Sequence, residues 1–260
     1  MEIGICTSPQ VAAQLPARAF DFIEVSVQAF LAPEHGEDDF VPNLKAATES
    51  PRPIKSANCF LPAVLKCVGP EVDDERLLRY AENTFRLAEK AGIEIIVVGS
   101  GAARALPEGF SKSDATMQFA QLLKVLGPAA QHHGVTLVVE PLNSRECNFI
   151  NSLAEGAEAV MLTDHPNVRL LADIYHMRME NEPASEIVRF GDLLRHVHVA
   201  EHAGRAWPGK GREDLREFYG ALKEVNYTGR IAIECNWDDI TRDVEPSTSF
   251  LREQLAAAGL

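Results

Sequence analysis

The stretch Val135-Thr-Leu-Val-Val-Glu140 decides the fold, because an apolar run that ends in a metal-type ligand recurs along the chain. Asp173, His198 and Glu234 stand at or near the end of similar runs, and the four residues follow one another at intervals of 33, 25 and 36 positions. Each interval fits one strand plus one helix, and such strands lie side by side with their carboxyl ends on one face. We therefore expect three carboxylates and one imidazole to converge, an arrangement that is costly unless a cation binds there.

Short strand-like runs alternate with helical patterns from end to end. Several of these runs are almost continuously apolar, which is typical of parallel strands buried on both faces. Eight such units in 260 residues predict a (β/α)8 TIM barrel of the α/β class that forms a single domain over residues 1–260. The predicted strands are Glu2–Cys6, Phe22–Val27, Ile54–Asn58, Glu94–Val98, Thr136–Glu140, Arg169–Asp173, Arg195–Val199 and Arg230–Glu234.

The predicted helices differ in clarity. Apolar stripes indicate helices over 74–91 and 114–133, with a kink or an early end near Gly127 because Pro128 follows it. Pro183 suits the first turn of a later helix, and the last helix is expected to begin near Pro246.

Two segments that follow predicted strands lack a helical stripe. Residues 29–40 and 62–70 are therefore expected to form loops on the face that carries the four ligands.

Composition excludes several classes of partner. The net charge of −13 argues against binding to nucleic acid and to anionic membranes. The five cysteines are scattered without a Cys-x-x-Cys pair, which favours free thiols in a reducing compartment. The chain starts directly with strand-like sequence and shows neither a signal peptide nor a spanning helix, so we expect a cytoplasmic protein.

The four ligands predict the kind of cation. Oxygen and nitrogen donors without a thiolate suit Mn²⁺, Mg²⁺ or Co²⁺, whereas structural Zn²⁺ sites normally contain Cys, although Zn²⁺ also accepts such donors. A cation held in this way acts as a Lewis acid on a carbonyl and a neighbouring hydroxyl.

Four motifs carry a family resemblance that covers nearly the whole chain. Residues 140–146 (EPLNSRE), 173–176 (DIYH), 196–198 (HVH) and 233–234 (IE) resemble the xylose-isomerase-like sugar isomerases and epimerases. The nearest branch is similar to the ketose 3-epimerases of the tagatose and psicose type. The resemblance implies a small sugar as substrate, and it implies a homo-oligomer because oligomers are common in this family.

The resemblance also assigns roles. It implies a divalent metal, usually Mn²⁺, bound by Glu140, Asp173, His198 and Glu234. It further implies that Glu140 and Glu234 are the catalytic acid and base, facing opposite sides of C3, with a metal-bound enediolate between the two proton transfers. Such inversion requires two proton carriers on opposite faces.

Three further residues match substrate-binding positions of the family. Glu146 matches a glutamate and His176 matches a histidine near the substrate carbonyl. Arg205 matches an arginine, although the segment between the histidine motif and this arginine is one residue longer here. Alternative interpretations are a surface pair of Glu146 with Arg145 and a structural loop histidine at 176.

Other residues remain open. Glu24 faces the barrel mouth or is a buried partner of a Lys or Arg, and His196 is expected to point away from His198 and to be structural. Gly99-Ser-Gly101 is expected to form a tight turn, with a phosphate contact as the weaker alternative. Lys210 is a solvated loop lysine or binds an anionic group. The aromatic residues Phe149, Trp207 and Trp237 are core residues or an apolar wall for a sugar.

The favoured function is proton transfer alpha to the carbonyl of a ketose or keto-sugar, with C3 epimerisation preferred. Alternatives on the same barrel are an aldose–ketose or hydroxypyruvate-type isomerase and a keto-sugar or inosose dehydratase. An abasic-site endonuclease needs more histidines at strand ends and less negative charge. A sugar-binding protein with a lost active site conflicts with the presence of all four ligands.

Overall fold

Eight parallel strands close into a barrel in which β1 pairs with both β2 and β8. The computed structural model describes residues 1–260. The predicted TIM barrel is confirmed, and every predicted strand agrees within one residue at each end. The strands are β1 Glu2–Cys6, β2 Phe22–Ser26, β3 Ile54–Asn58, β4 Ile95–Val98, β5 Thr136–Val139, β6 Val168–Asp173, β7 Leu194–Val199 and β8 Arg230–Ile233.

Ten helices of α type surround or cap this barrel. They are α1 Pro9–Ala12, α2 Glu37–Thr48, α3 Asp74–Ala91, α4 Gly101–Arg104, α5 Lys112–His132, α6 Leu153–Thr163, α7 Ile174–Met179, α8 Ser185–Phe190, α9 Arg216–Glu224 and α10 Ile240–Ala257. A π-helix covers Val27–Leu31, and 3₁₀ turns cover Gly191–Leu193 and Ala203–Arg205. No helix combines the length and the apolar character that crossing a membrane requires.

The alternation of side chains along the strands separates two apolar layers. One layer fills the space between strands and helices and contains Leu137, Val139, Leu170 and Ala172. The other is a small cluster inside the barrel, formed by Ile95, Val97, Val138 and Leu171. Residues two apart on a strand point to the same face. Glu140 therefore points inward like Val138, and Asp173 points inward like Leu171, so polar side chains follow the inner cluster at the mouth of the barrel.

Two predictions about the start of helices were wrong. The predicted loop 29–40 is helical at both ends, because the π-helix Val27–Leu31 covers its first residues and α2 begins within it at Glu37. The acidic side chains Glu37, Asp38 and Asp39 in the first turn of α2 interact favourably with the helix dipole. The sequence concealed this helix because only Phe40 within it is buried. The last helix begins at Ile240, where Asp239 caps the first turn by accepting from the N–H of Thr241, so Pro246 lies inside it.

Smaller differences concern prolines. α5 continues to His132 through Pro128, so the expected early end near Gly127 does not occur. α8 begins at Ser185, two residues after Pro183, whose carbonyl accepts from the N–H of Glu186. Residues 62–70 form a loop without helix or strand, as predicted.

Candidate metal centre and active site

The four predicted ligands meet at the carboxyl end of the barrel. Each of Glu140, Asp173, His198 and Glu234, called the ligand group below, offers one donor atom, and these atoms lie within 4.8 Å of one another. Nδ1 of His198 is 3.1 Å from Oε1 of Glu140 and 3.3 Å from Oε2 of Glu234. The convergence expected from the strand ends is therefore present.

Local structure fixes the carboxylate of Asp173. This residue ends β6 and caps α7, because its Oδ1 accepts from the N–H groups of Tyr175 at 2.7 Å and His176 at 3.3 Å. Oδ2 is buried and accepts no hydrogen bond from the protein. One oxygen is thus held by the backbone while the other faces the ligand group.

The charges of the ligand group interact strongly with one another and with neighbouring side chains. Burial raises the pKa of Glu140, and His198 only partly offsets this effect. Burial also acts to raise the pKa of Glu234, but His198 and Arg205 outweigh it and lower that pKa below its usual value. Burial acts to lower the pKa of His198, yet Glu24 and Glu234 raise it well above its usual value. The site therefore attracts positive charge strongly.

The donor set fits a divalent cation. The oxygen Oδ2 of Asp173 is buried without a hydrogen-bond partner, which is costly for a carboxylate unless a cation binds it. Three carboxylates and one imidazole, with no thiolate, are the donors that Mn²⁺ and related octahedral ions accept.

A glycine makes room for one carboxylate of the ligand group. A Cβ atom at Gly99 would lie 1.7 Å from Oε2 of Glu140, so any other residue at this position would displace the carboxylate. Gly99 follows β4, the neighbour of β5. The tight turn predicted at 99–101 is not present. Gly99 makes this close approach instead, and α4 begins at Gly101.

The predicted substrate-binding residues Glu146 and His176 are joined by a residue that the sequence did not single out. The side-chain amide of Asn143 donates to Oε1 of Glu146 at 2.8 Å and lies 2.8 Å from Nδ1 of His176. The backbone N–H of Asn143 also donates to Nδ1 of His176 at 3.2 Å, so the neutral ring carries its proton on Nε2. That Nε2 is buried, has no hydrogen-bond partner and lies 3.5 Å from Oδ2 of Asp173.

Arg205 lies at the centre of the acidic groups. Its guanidinium pairs with Oε2 of Glu234 and is 3.6 Å from Oδ2 of Asp173 and 3.7 Å from Oε2 of Glu146. The guanidinium also lies over the ring of Tyr175, 4.8 Å from its centroid. Burial acts to lower the pKa of Arg205, but Asp173 and Glu234 raise it above its usual value. The ion-pair partner of Glu146 is thus Arg205 and not Arg145.

A cavity of about 340 Å³ opens onto these residues and is lined by Glu140, Glu146, His176, Arg205 and Glu234. Asn58, the last residue of β3, also lines it and donates from Nδ2 to Oε1 of Glu234 at 2.8 Å. Sequence reasoning missed Asn58. Like the members of the ligand group, Asn58 stands at the carboxyl end of a strand. An amide at such a position could therefore have been predicted to face the site.

One prediction about neighbouring residues was wrong, and another was correct only in part. His196 does not point away from His198, because residues two apart on a strand project to the same side. Both imidazoles approach Glu24, with Nε2 atoms 2.7 Å and 2.8 Å from its carboxylate oxygens. Glu24 is completely buried in the barrel, and these partners are histidines rather than Lys or Arg. Burial acts to raise the pKa of Glu24, but the two histidines lower it well below its usual value.

The remaining candidates do not line the cavity. Lys210 is exposed and pairs with Asp238 at 2.7 Å. Phe149 is a core residue that packs edge-on against Phe119. Trp207 is half-buried and donates from Nε1 to Asp238 at 3.4 Å, and Trp237 packs partly against the core. Phe149 therefore belongs to no apolar wall around the cavity.

Comparison with known proteins identifies sequence relatives that are epimerases. The profile of the family described as "Xylose isomerase-like TIM barrel" matches residues 12–255. An L-ribulose 3-epimerase of Methylomonas sp. is 31% identical over 179 residues, which cover 68% of this chain and 59% of that protein. The match therefore spans less than two thirds of that relative. A 3-dehydro-D-guloside 4-epimerase of Escherichia coli is 29% identical over 219 residues, covering 77% of this chain and 83% of that protein.

Solved structures support the same fold. The crystal structure of a D-allulose 3-epimerase from Methylomonas sp. superposes with a TM-score of 0.83 at 22% identity and covers 98% of both chains.

Proposed function

This chain belongs to the xylose isomerase-like TIM barrel family, and we propose that it is a divalent-metal-dependent sugar epimerase or isomerase. The proposed reaction moves a proton alpha to the carbonyl of a ketose or keto-sugar, with C3 epimerisation favoured. The observation that carries the proposal is the ligand group itself, whose four donor atoms lie within 4.8 Å of one another beside a cavity. We also propose that residues 1–260 form one barrel domain.

The ligand group would hold the cation, with Mn²⁺ as the proposed ion. When bound, the cation supplies a Lewis acid that stabilises negative charge on the substrate oxygens. The support for this role is the unpartnered Oδ2 of Asp173 and the absence of a thiolate among the donors.

Glu140 and Glu234 are the proposed proton carriers. Both carboxylates line the cavity, and they differ in environment. Burial raises the pKa of Glu140, whereas His198 and Arg205 outweigh the effect of burial at Glu234 and lower its pKa. Two carboxyl groups whose surroundings separate their pKa values are suited to act as an acid and a base. Asn58 and Arg205 hold the carboxylate of Glu234 from two sides.

Glu146, His176 and Arg205 are the proposed substrate-binding residues. The proton on Nε2 of His176 is a donor without a protein partner, and it is suited to a carbonyl or hydroxyl oxygen of a sugar. Glu146 is partly exposed and offers its carboxylate to hydroxyl groups. Asn143 ties Glu146 to His176, so both groups are held on one side of the cavity.

One relative favours a second candidate within the same chemistry. The match to the E. coli 3-dehydro-D-guloside 4-epimerase covers 83% of that protein, more than the match to the L-ribulose 3-epimerase covers. In a sugar with a carbonyl at C3, the hydrogen at C4 is alpha to that carbonyl. The same pair of carboxylates would then invert C4 instead of C3.

The test is incorporation of deuterium from solvent. The protein is incubated in D₂O with Mn²⁺ and with free ketoses, ketose phosphates and 3-keto-glycosides, and the products are analysed by NMR and mass spectrometry. We expect deuterium at C3 of a ketose together with a new epimer. Deuterium at C4 of a 3-keto-glycoside would favour the second candidate instead.

Other outcomes contradict either the favoured C3 epimerisation or the proposed reaction class as a whole. Deuterium at C1 or C2 of an aldose–ketose pair would indicate an isomerase of the other type. Loss of water in the mass spectrum would indicate a dehydratase. No exchange with any sugar, when bound Mn²⁺ is demonstrated, would contradict proton transfer as the function.

A further inference from the structure

A second polar cluster lies inside the barrel beneath the ligand group, with the carboxylate of Glu24 at its centre. Glu24 is on β2 and has no exposed surface. Its Oε2 accepts from Oγ of Ser56 at 2.6 Å and lies 2.7 Å from Nε2 of His196. Its Oε1 is 2.8 Å from Nε2 of His198 and accepts from Sγ of Cys6 at 3.4 Å. The cluster therefore joins β1, β2 and β3 to β7 across the lumen.

His198 belongs to both clusters. Its Nδ1 faces Glu140 at 3.1 Å and Glu234 at 3.3 Å, while its Nε2 faces Glu24 at 2.8 Å. The contact to Glu24 is close but falls short of a well-aligned hydrogen bond, and Nε2 has no other partner. Each nitrogen of the ring thus has a carboxylate on its own side.

A neutral imidazole carries its single proton on one nitrogen and binds a cation through the other. A carboxylate beside Nε2 favours the form with the proton on Nε2, and this form presents the lone pair of Nδ1 to the ligand group. Without that carboxylate, Glu140 and Glu234 would favour a proton on Nδ1 and would compete with the cation. Glu24 therefore influences cation binding by the ligand group although it is not itself one of the ligands.

We infer that Glu24 is a positioning residue, which holds the proton of His198 on Nε2 and so directs Nδ1 to a divalent cation. This inference rests on the proposed metal site. Hydrogen-bonded partners of metal-binding histidines fix ring orientation and tautomer, and their loss typically weakens metal binding by about 10–100-fold.

Ser56 and His196 fix the other oxygen of Glu24. Both contact Oε2, so Oε1 is left directed towards Nε2 of His198. Ser56→Ala removes a hydrogen bond to Oε2 but leaves the contact through Oε1. It is therefore a matched control, since it disturbs the same carboxylate without touching the side that faces His198.

The experiment measures Mn²⁺ affinity by titration calorimetry for the wild-type protein, Glu24→Gln and Ser56→Ala. We expect Glu24→Gln to bind Mn²⁺ about 10–100-fold more weakly and Ser56→Ala to bind within about threefold of wild type. Glu94→Gln, at the opposite end of the barrel, is a second control for the loss of a carboxylate and should leave the affinity unchanged.

A second readout follows the imidazole rings directly. In protein loaded with diamagnetic Zn²⁺ and labelled with ¹⁵N-histidine, we expect the proton of His198 on Nε2 and cation coordination through Nδ1. Glu24→Gln should shift the Nε2 proton resonance of His198. A role in stability alone would not move this resonance.

The outcomes separate this inference from the proposed function. If wild-type protein binds neither ion, the metal site and the inference fail together. If wild type binds Mn²⁺ and Glu24→Gln binds it equally well, the inference fails while the metal site stands. Should Glu24→Gln not fold, the zinc-loaded wild type still decides the matter, because a proton on Nδ1 of His198 would overturn the inference.

Discussion

The two ends of the barrel differ in how far their negative charge is balanced by cations and exposed to solvent. At the amino end, Arg230 pairs with Glu2 and Glu94 at 2.7 Å each, and Lys55 pairs with Glu94 at 2.5 Å. We call these four residues the basal network. Two cations meet two anions there, and the carboxylates of Glu2 and Glu94 remain about half exposed.

The carboxyl end is different because its negative charge is buried and only partly offset by cationic side chains. The side chain of Asp173 is 1% exposed and that of Glu140 is 6% exposed. Arg205 is the cation that reaches the ligand group, in addition to His198. In TIM barrels the carboxyl end carries activity and the amino end carries stability. The comparison therefore predicts large effects on activity at one end and small effects on stability at the other.

The largest effect is expected from the proposed proton carriers. Glu140→Gln and Glu234→Gln keep the shape of each side chain but remove its ability to carry a proton, so kcat/KM should fall at least ~10²-fold for each. Activity is measured with saturating Mn²⁺, and bound metal is quantified in each variant to separate proton transfer from metal loss. Glu94→Gln in the basal network is the control and should retain activity. Full activity in both site variants would remove these residues from the acid and base roles.

A smaller but still large effect is expected at Gly99. A Cβ at this position would meet Oε2 of Glu140 at 1.7 Å, so Gly99→Ala must displace the carboxylate. Displacement of a reacting group by about 1 Å can cost ~10²-fold in rate, and we expect a 10–10²-fold loss of kcat/KM with little change in the melting temperature.

Gly220→Ala is the matched control for Gly99→Ala. A Cβ at Gly220, within α9, meets no atom within 4 Å. This variant should keep full activity and gain about 0.5–1 kcal/mol in the free energy of unfolding, because Ala costs less conformational entropy than Gly in a helix. Equal activity of the two variants would show that Gly99 does not protect the position of Glu140.

The sequence predicted the strand ends and hence the ligand group, because a parallel barrel turns one-dimensional spacing into convergence on one face. Asn58 obeys the same rule and was missed only because an amide is a less specific signal than a carboxylate. Gly99 was not predictable in its role, since a close approach between neighbouring strands depends on the path of the Glu140 side chain. Asn143 likewise acquires its role only when Glu146 and His176 are brought together in space.

Glu24 and His196 teach a different lesson. The period of two along a strand, applied correctly, places His196 and His198 on the same inward face. What the sequence does not contain is the partner, because Glu24 lies 172 residues before His196 and reaches it across the barrel. Local patterns predict which way a side chain points, whereas the closure of the barrel decides what it meets.

The basal network should respond weakly. Arg230→Met removes two ion pairs whose carboxylates are about half exposed, and exposed ion pairs contribute about 0.2–1 kcal/mol each. We expect the free energy of unfolding, measured with urea, to fall by about 1 kcal/mol, with Mn²⁺ affinity and kcat/KM unchanged. A double-mutant cycle with Glu94→Gln isolates one pair. A large loss of activity in Arg230→Met would contradict the conclusion that the amino end contributes to stability and not to activity.

The smallest effect concerns a carboxyl near the rim of the carboxyl end, where excess negative charge is relieved by a proton instead of a cation. Burial raises the pKa of Glu182 to about 7, and the neighbouring carboxylates of Glu186, Glu155 and Glu180 add to this shift. A raised pKa in the folded state means that the protonated form favours folding. The corresponding stability is fully present below the unfolded-state pKa of about 4.5 and is lost as the pH rises through about 7.

Glu182→Gln should therefore gain stability relative to wild type as the pH increases from 5 to 8. Gln keeps the oxygen that accepts from the N–H of Leu153 at 2.8 Å, so the hydrogen bond is preserved while the titration is removed. Melting temperatures of both proteins across this range test the prediction, and Glu245→Gln on the exposed face of α10 controls for the loss of one surface charge. A constant difference between Glu182→Gln and wild type would mean that Glu182 is already ionised in the folded protein at pH 5. In that case the rim would tolerate negative charge without a bound cation, whereas the ligand group, whose Asp173 precedes Glu182 by nine residues, is proposed to require one.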